Sequence, residues 1–337
     1  MTLRRAVVLR EEIAEFAALD DQDTVRQAEC VRESLLLAGW DASLVVLGPD
    51  ARTLEQQLGA LKPDLVFNLV ESWSGLASLA CVAPALCRKH GVPCTGSDEG
   101  ALALAGDKAL ARRLMQAATI PAPEGVSLEE VRLGNFPGAG RYIVKSRFED
   151  ASLGLGPDCV VDAHGQDELL RIMENLAPRM AGDCVAERYV DGQEFNLALL
   201  AGPDGGVQVL PLAEMVFESG LSGPAILHFA AKWEEGSAAY AASARRFEPS
   251  HPLAGEMAAI GLRCWDVFGL AGYARVDFRV SGAGDIFVID VNPNPCITPD
   301  AGFVAAASQG GLYHVEVVRR IAGDALRRAG RLEMFCV

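Results

Sequence analysis

With 337 residues, half of them apolar and 22% charged, the chain has the composition of a globular protein and not of a disordered one. That length exceeds what one growing core supports, so two or three sub-domains are expected. A formal net charge of −15 argues against nucleic acid and anionic membranes as partners, and it requires any phosphate ligand to find locally focused positive groups.

In chain order, a short buried strand pattern covers residues 6–9, too brief despite its basic start to be a signal peptide. Asp23-Thr24 is placed to cap a helix running to about Ala38 and ended by Gly39. Residues 43–47 read as a strand, 54–61 as a helix, 65–69 as a strand and 77–90 as a helix stopped by Gly91. This alternation predicts a small α/β layer with a parallel sheet over about 95 residues. A turn at Thr95-Gly96-Ser97 leads to helices over 99–105 and from Lys108 to Ala118, ahead of Pro121-Ala122-Pro123. From there strands are predicted over 141–145, 159–161, 184–189, 194–200 and 207–212, with one helix over 166–177 and a glycine-bearing loop over 148–156. A long helix over 249–268 precedes a hairpin, and a helix over 312–325 closes the chain. The second half therefore reads as α+β with a largely antiparallel sheet. No apolar run reaches membrane-spanning length. The nine cysteines form no CxxC pair and are odd in number, which suits reduced thiols in a cytoplasmic enzyme, and the dispersed histidines argue against zinc.

The hairpin carries the most chemistry. Apolar and polar residues alternate along 275–279 and 287–295. Arg275 and Asp277 share one face, as do Asp290 and Asn292. If Val280 sits near Ile286, Asp277 falls close to Asp290 and Arg275 close to Asn292. Two carboxylates about 4 Å apart repel by roughly 4 kcal/mol at an effective dielectric near 20, so such a pair needs a proton or a cation. Oxygen ligands without His or Cys suit Mg²⁺ or Mn²⁺. Two readings stand at this point, a metal site and a merely solvated polar face.

Upstream, Lys145 ends an apolar strand and precedes a loop of small residues that includes Ser152, Gly154 and Gly156, a pattern able to cradle phosphate through backbone N–H groups and an ammonium. Lys108 follows Asp107 at a helix start, where the helix dipole gives a cation nothing. Glu187 and Glu194 flank a tight turn and could accept from an adenine amino group and a ribose hydroxyl. Each of these also reads as a solvated surface group on its own. No Walker loop and no GxGxxG follows a strand, which sets aside those two nucleotide folds.

Taken in order, the segments VFNLVES, PCTGSDEGALALAGDK, IPAP, YIVKSRFEDASLGLG, VAERYVDGQEFNLALL, GYARVDFRV and FVIDVNPNPCITP resemble the ATP-grasp superfamily, and within it the D-alanine–D-alanine ligase family. The resemblance spans residues 66 to 303. It implies an ATP-grasp fold with an N-terminal α/β domain at 1–97, a central lid domain at 98–182 and a C-terminal catalytic domain at 183–337. It implies that Lys108 and Lys145 bind ATP phosphates, with Ser152 and its loop closing over them and Lys232 adding a phosphate contact. Glu187 would meet the adenine amino group, the Val190 backbone the adenine edge and Glu194 the ribose. Asp277, Asp290 and Asn292 would hold two Mg²⁺ ions, and Arg275 would stabilise an acyl phosphate and a tetrahedral intermediate. The implied reaction joins a small carboxylate to an amine with ATP in the cytoplasm, and the implied assembly is a homodimer through the N-terminal domain.

The departures from the family are as informative. Asp290 stands where the metal-bridging residue is usually Glu. Residues 9–13 lack the glycine-rich loop whose glutamate reads the first D-alanine, which puts such a role for Glu11 or Glu12 in doubt. Leu79 stands at a glutamate position, Trp233 at a tyrosine position, and Ala301-Gly302 replaces the serine–leucine pair that reads the second D-alanine's carboxylate. Cys296 reads as a small packing residue, since the chemistry needs no thiolate. The nucleotide half is kept and the acceptor half rewritten, so the expectation is a ligase for other substrates in a specialised biosynthetic pathway. The cell-wall ligase itself, a kinase on the same fold and a non-catalytic nucleotide binder are the alternatives.

Overall fold

A computed structural model describes residues 4–13, 19–149, 152–217, 224, 226, 243–248 and 251–331. The expected parallel layer is present at the N-terminus. Strands β1 (Arg5–Glu11), β2 (Asp41–Leu47) and β3 (Leu65–Asn68) pair in parallel in the order β2-β1-β3, joined by helices α1 (Leu19–Leu37) and α2 (Ala51–Leu61) and followed by α3 (Val82–Lys89). Two local expectations give way here. Helix α1 is already formed at Leu19, so Asp23-Thr24 lies inside it and not at its cap. The segment 77–90 is broken into a 3₁₀ turn, Ala77–Leu79, and α3. Pro84 explains the break, because proline fits only the first turn of a helix, where its missing N–H is no loss.

Helices α4 (Glu99–Gly106) and α5 (Lys108–Ala117) follow, capped by the carboxylates of Asp98 and Asp107, which accept from backbone N–H groups at the first turn. A second, antiparallel sheet contains β4 (Gly125–Ser127), β5 (Gly140–Ser146), β6 (Val160–Ala163) and β7 (Cys184–Arg188), in the order β4-β7-β5-β6, with helices α6 (Leu128–Arg132) and α7 (Gln166–Leu176). Because β7 is an inner strand of this sheet, the sequence division at 182/183 separates it from its partners. The short β4 and α6 were not expected from the pattern; a complete capping box at Ser127 and Glu130 marks where α6 starts.

The third sheet is built from β8 (Gly192–Ala201), β9 (Val207–Val209), β10 (Ala213–Phe217), β11 (Ser243–Phe247), β12 (Tyr273–Ser281) and β13 (Ile286–Asn292), in the antiparallel order β11-β10-β8-β12-β13 with β9 on β8. Helix α8 (Ala254–Phe268) lies between β11 and β12 in the chain and starts later than residue 249; α9 (Gly302–Gln309) and α10 (His314–Arg328) follow β13. One face of this sheet carries its apolar core, with a polar edge at Gln193, Glu214 and Arg246: Phe195, Leu197, Val276, Phe278 and Val288 pack with residues of α5 and α8. The opposite face is divided. Ala198, Leu200 and Tyr273 lie under α10 and the N-terminal layer, whereas Glu194, Asn196, Asp277 and Arg279 lie toward the second sheet. Among the described residues no helix is long and apolar enough to cross a membrane.

Candidate active site

The polar end of that divided face forms one wall of a cleft of about 880 Å³, its solvent-filled mouth included, and the second sheet forms the other. Alternation on β5 and β7 buries Tyr142, Val144, Cys184 and Ala186 in the second sheet's own core and turns Ile143, Lys145 and Glu187 toward the cleft. Lys108, Lys145, Ser152, Glu187, Val190 and Glu194 all line it. So do Arg275, Asp277 and Asp290 from the hairpin. Asn292 sits beside them, opposite Arg275 in the ladder, with its side-chain oxygen accepting from the Asn294 amide at 2.8 Å. Lys232 and Trp233 lie outside the described residues.

The hairpin register is the expected one, with a refinement. Val280 pairs with Ile286, Asp277 with Asp290 and Arg275 with Asn292, but the ladder shifts between Asp277 and Phe278. An unbroken ladder from Val280–Ile286 would oppose Asp277 with Ile289. A bulge inserts one residue, so Ile289 and Asp290 both reach the cleft. The Ile289 carbonyl accepts from Lys145 Nζ at 2.8 Å, which ties the second sheet to the third.

Charges in the cleft alternate in sign. Lys145 Nζ lies 2.9 Å from Glu187 Oε2, and Lys108 Nζ lies 3.8 Å from Asp290 Oδ1 while donating to the Glu149 carbonyl at 3.0 Å. Arg275 grips Asp277 through two bonds of 2.8 and 2.9 Å, and Asn196 Nδ2 donates to the same carboxylate at 2.8 Å. Arg279, only 4% exposed, donates to Glu194 Oε2 at 2.7 Å. The local cations thus supply what the net charge of −15 withholds. Arg279, Asn196 and Ile289 were missed by the sequence reading. Arg279 had a usable signal, since it continues the 275–277 alternation.

The donor set fits the metal that the resemblance implies. Among the described residues no group of three or more His, Cys, Asp or Glu side chains converges. The chain therefore offers two carboxylates and an amide, the partial oxygen set that Mg²⁺ completes with substrate phosphates and water. Ser152 adopts φ +65°, and Gly154 beside it adopts +66° with a Cβ position only 2.2 Å from the Arg179 carbonyl, so only glycine fits there.

Supporting residues hold the two lysines in place. The Arg147 guanidinium donates to both oxygens of Asp107, at 2.9 and 2.7 Å, and the Arg147 carbonyl accepts from the Lys108 amide at 3.0 Å. Burial works to raise the Asp107 pKa, but Arg147 and the Leu110 and Ala109 amides outweigh it and hold the carboxyl below its ordinary value. Outside the residues that line the cleft, Glu11 is buried and accepts from the Glu71 amide at 3.2 Å. The Cys296 thiol donates to Asp23 at 3.1 Å, and burial, then Asp23, pushes its pKa well above the thiol range, as befits a packing residue. Leu79 is half-buried in its 3₁₀ turn, and Ala301 provides no side-chain cap for α9.

Comparison with known proteins agrees with this architecture. The family model described as the D-ala D-ala ligase C-terminus matches residues 141–322. A D-alanine–D-alanine ligase of Synechococcus sp. is 32% identical over 254 residues, covering 71% of this chain and 70% of that protein. An uncharacterized protein of Sinorhizobium fredii is 29% identical over 307 residues, covering 89% of this chain and 85% of its own. The crystal structure of the Bacillus anthracis D-alanine–D-alanine ligase complexed with ATP superposes with a TM-score of 0.68 at 17% identity, over 97% of this chain and 99% of that one. The D-alanyl-alanine synthetase A of Vibrio cholerae gives 0.71 at 14% identity, with the same coverages. The family match over more than half of the chain and the relative at 32% identity agree with the shared fold: the chain belongs to the D-alanine–D-alanine ligase-like family of the ATP-grasp superfamily and is an ATP-dependent carboxylate–amine ligase.

Proposed function

We propose that the enzyme activates a carboxylate as its acyl phosphate, couples it to an amine and releases ADP and phosphate, with an acceptor site unlike that of the cell-wall ligase. The convergence of Lys108, Lys145, Glu187, Asp277 and Asp290 on one cleft carries this reading. Lys108 and Lys145 hold the ATP phosphates under the Ser152 loop, and Lys232 adds a phosphate contact. Glu187 and the Val190 backbone receive the adenine, and Glu194 the ribose. Asp277, Asp290 and Asn292 would hold two Mg²⁺ ions, with Mn²⁺ as a substitute, which offset charge on the transferred phosphoryl group. A substrate carboxylate oxygen bonds to the γ-phosphorus as the bond to ADP breaks. The amine nitrogen then bonds to the carbonyl carbon, the C–O bond to phosphate breaks, and the amine's proton leaves. Arg275 stabilises the negative oxygen of that tetrahedral stage. Its present bond to Asp277 keeps the guanidinium aimed along the sheet face.

The rewritten acceptor positions, Leu79, Ala301 and Gly302, support substrates other than two D-alanines, because selectivity for a small amino acid rests on polar groups that these residues lack. A specialised biosynthetic role in the cytoplasm and a homodimer built through residues 1–97 complete the proposal; light scattering reads the dimer. Release of ADP and phosphate, measured across a library of carboxylate and amine pairs, tests the whole. ADP release that requires the amine supports it. A stable phosphorylated product would make the protein a kinase, and ATP binding without turnover a nucleotide binder. Abundant D-alanyl-D-alanine would make it the cell-wall enzyme.

A further inference from the structure

One cation near the acceptor end has no role in the mechanism above. Arg245, on the edge strand β11, pairs with Met215 of β10; Met215 pairs with Glu194 of β8, and Glu194 with Arg279 of β12. Residues paired across strands share a face, so Arg245 stands on the face that carries Glu194, Asn196, Arg275 and Asp277. Its neighbour Arg246 is turned to the other face and bound to Glu214.

The Arg245 guanidinium reaches from the strand to the start of α9. A Cβ placed on Gly302 would lie 3.2 Å from its Nη2 and 3.5 Å from its Cζ. Gly302 does not have the left-handed φ that calls for glycine, and glycine weakens a helix relative to alanine. What the bare Cα leaves room for is the guanidinium. The acid that acts on Arg245, Asp300, is itself bound to Arg26 at 2.9 Å. Among the described residues no group accepts a hydrogen bond from Arg245. Arg245 is exposed as a residue; partial desolvation of its guanidinium and the like charge of Arg275 disfavour its positive charge, against the pull of Asp300. Two guanidiniums on one face, one of them without an acid of its own, make a locally positive surface that attracts an anion. That anion is not the nucleotide, whose proposed ligands line the cleft without Arg245.

The geometry points to Arg245 as a specificity-determining residue that binds a carboxylate of the amine-bearing substrate, taking over with a full charge at the place where Ala301-Gly302 supplies no side-chain donor. This rests on the ligase reading above, and the planar fork of arginine matches a carboxylate bidentately.

The test offers acceptors in matched pairs, with ATP and the carboxylate donor saturating. Amino acids against their carboxamides probe the main-chain carboxylate; aspartate against asparagine and glutamate against glutamine probe a side-chain one. The parent enzyme should favour the acid in at least one kind of pair by about 10- to 100-fold in kcat/KM. Arg245→Ala should raise KM for the acid by that factor and leave the KM values for the neutral partner and for ATP unchanged, and Arg245→Lys should recover part of the loss. An acid preference that survives Arg245→Ala, or no preference in either kind of pair, overturns the assignment. A second readout needs no turnover: labelling with phenylglyoxal and peptide mapping, in which acids, and not their neutral partners, protect Arg245. If no pair is turned over, the ligase proposal fails; if no acid protects Arg245, this one does.

Discussion

Lys145 and Glu187 reach one another from neighbouring antiparallel strands, and Asp277 and Asp290 face each other across a hairpin, whereas Arg245, Gly302 and Cys296 come from an edge strand, a helix start and a loop joined by no common ladder. At the end of the cleft assigned to the nucleotide, each cation already has an acid within reach: Lys145 with Glu187, Lys108 with Asp290, Arg279 with Glu194. An incoming phosphate must there compete with pairs already formed. The end assigned to the acceptor instead depends on backbone atoms, a missing Cβ and a guanidinium whose attracting acid, Asp300, is bound to Arg26. A ladder fixes several side chains at once through its register, so changes there are costly. Loop-built ends can be altered one residue at a time, and Leu79 and Ala301-Gly302 stand at such places, whereas Asp290 is a change of one methylene that keeps the carboxylate on its ladder.

The comparison breaks most directly at the hairpin. Asp277→Asn and Asp290→Asn are each expected to lower ADP release at least about a thousandfold, since several kcal/mol of charge stabilisation is lost, while the circular dichroism spectrum stays that of the parent. Near-parental turnover in either variant would end the metal assignment and make both ends of the cleft equally tolerant.

A smaller effect tests whether the pre-formed pairs are structural as well. Lys145→Met leaves Glu187, 6% exposed, without its cation, and should cost about 3 kcal/mol in denaturant unfolding. Adding Glu187→Gln should return most of that stability without returning ATP affinity. If the double variant is no more stable than the single one, the pair is not what holds these strands.

Glu130 supports the helix that carries Lys108 without lining the cleft. Burial works to raise its pKa, but Arg113, Ser127 and Arg112 lower it from 4.5 to about 2. A depressed carboxyl contributes its stability above the unfolded pKa and loses it as pH falls through the folded one. Glu130→Gln should therefore cost up to about 2 kcal/mol near neutrality, and the gap to the parent should close between pH 4.5 and about 2. A gap that is constant with pH would mean that the carboxylate charge is not involved. The smallest effect is expected at Cys296, where alanine should cost about 1 kcal/mol for the bond to Asp23 and leave turnover unchanged. A large loss of turnover would give the thiol a chemical role.

How much of this could be read from the sequence follows the same line. The parallel layer, the antiparallel hairpin and the face shared by Arg275 and Asp277 come from apolar alternation, a property of neighbouring residues. The pairing of β10 with β11, the short β4 and α6, and the meeting of Arg245 with Gly302 depend on distant segments, which no local period encodes. The start of α1 was misplaced because Asp23-Thr24 has the chemistry of a cap but sits in a helix already under way. Thr24 is 5% exposed there, and tertiary packing overrides the local preference.

The extra residue in β13 is a matter of parity. Ahead of it, even-numbered positions such as Ile286 and Val288 belong to the apolar layer; behind it the odd-numbered Val291 does. Were the strand ironed flat with its sequence unchanged, Asp290 and Asn292 would both turn inward among Val276 and Phe278, and Asp290 would become a buried, unpaired carboxylate at a cost of several kcal/mol. The two positions are thus one heritable unit. A single insertion or deletion that upsets the count removes both from the cleft together, and one that respects it leaves both where they are.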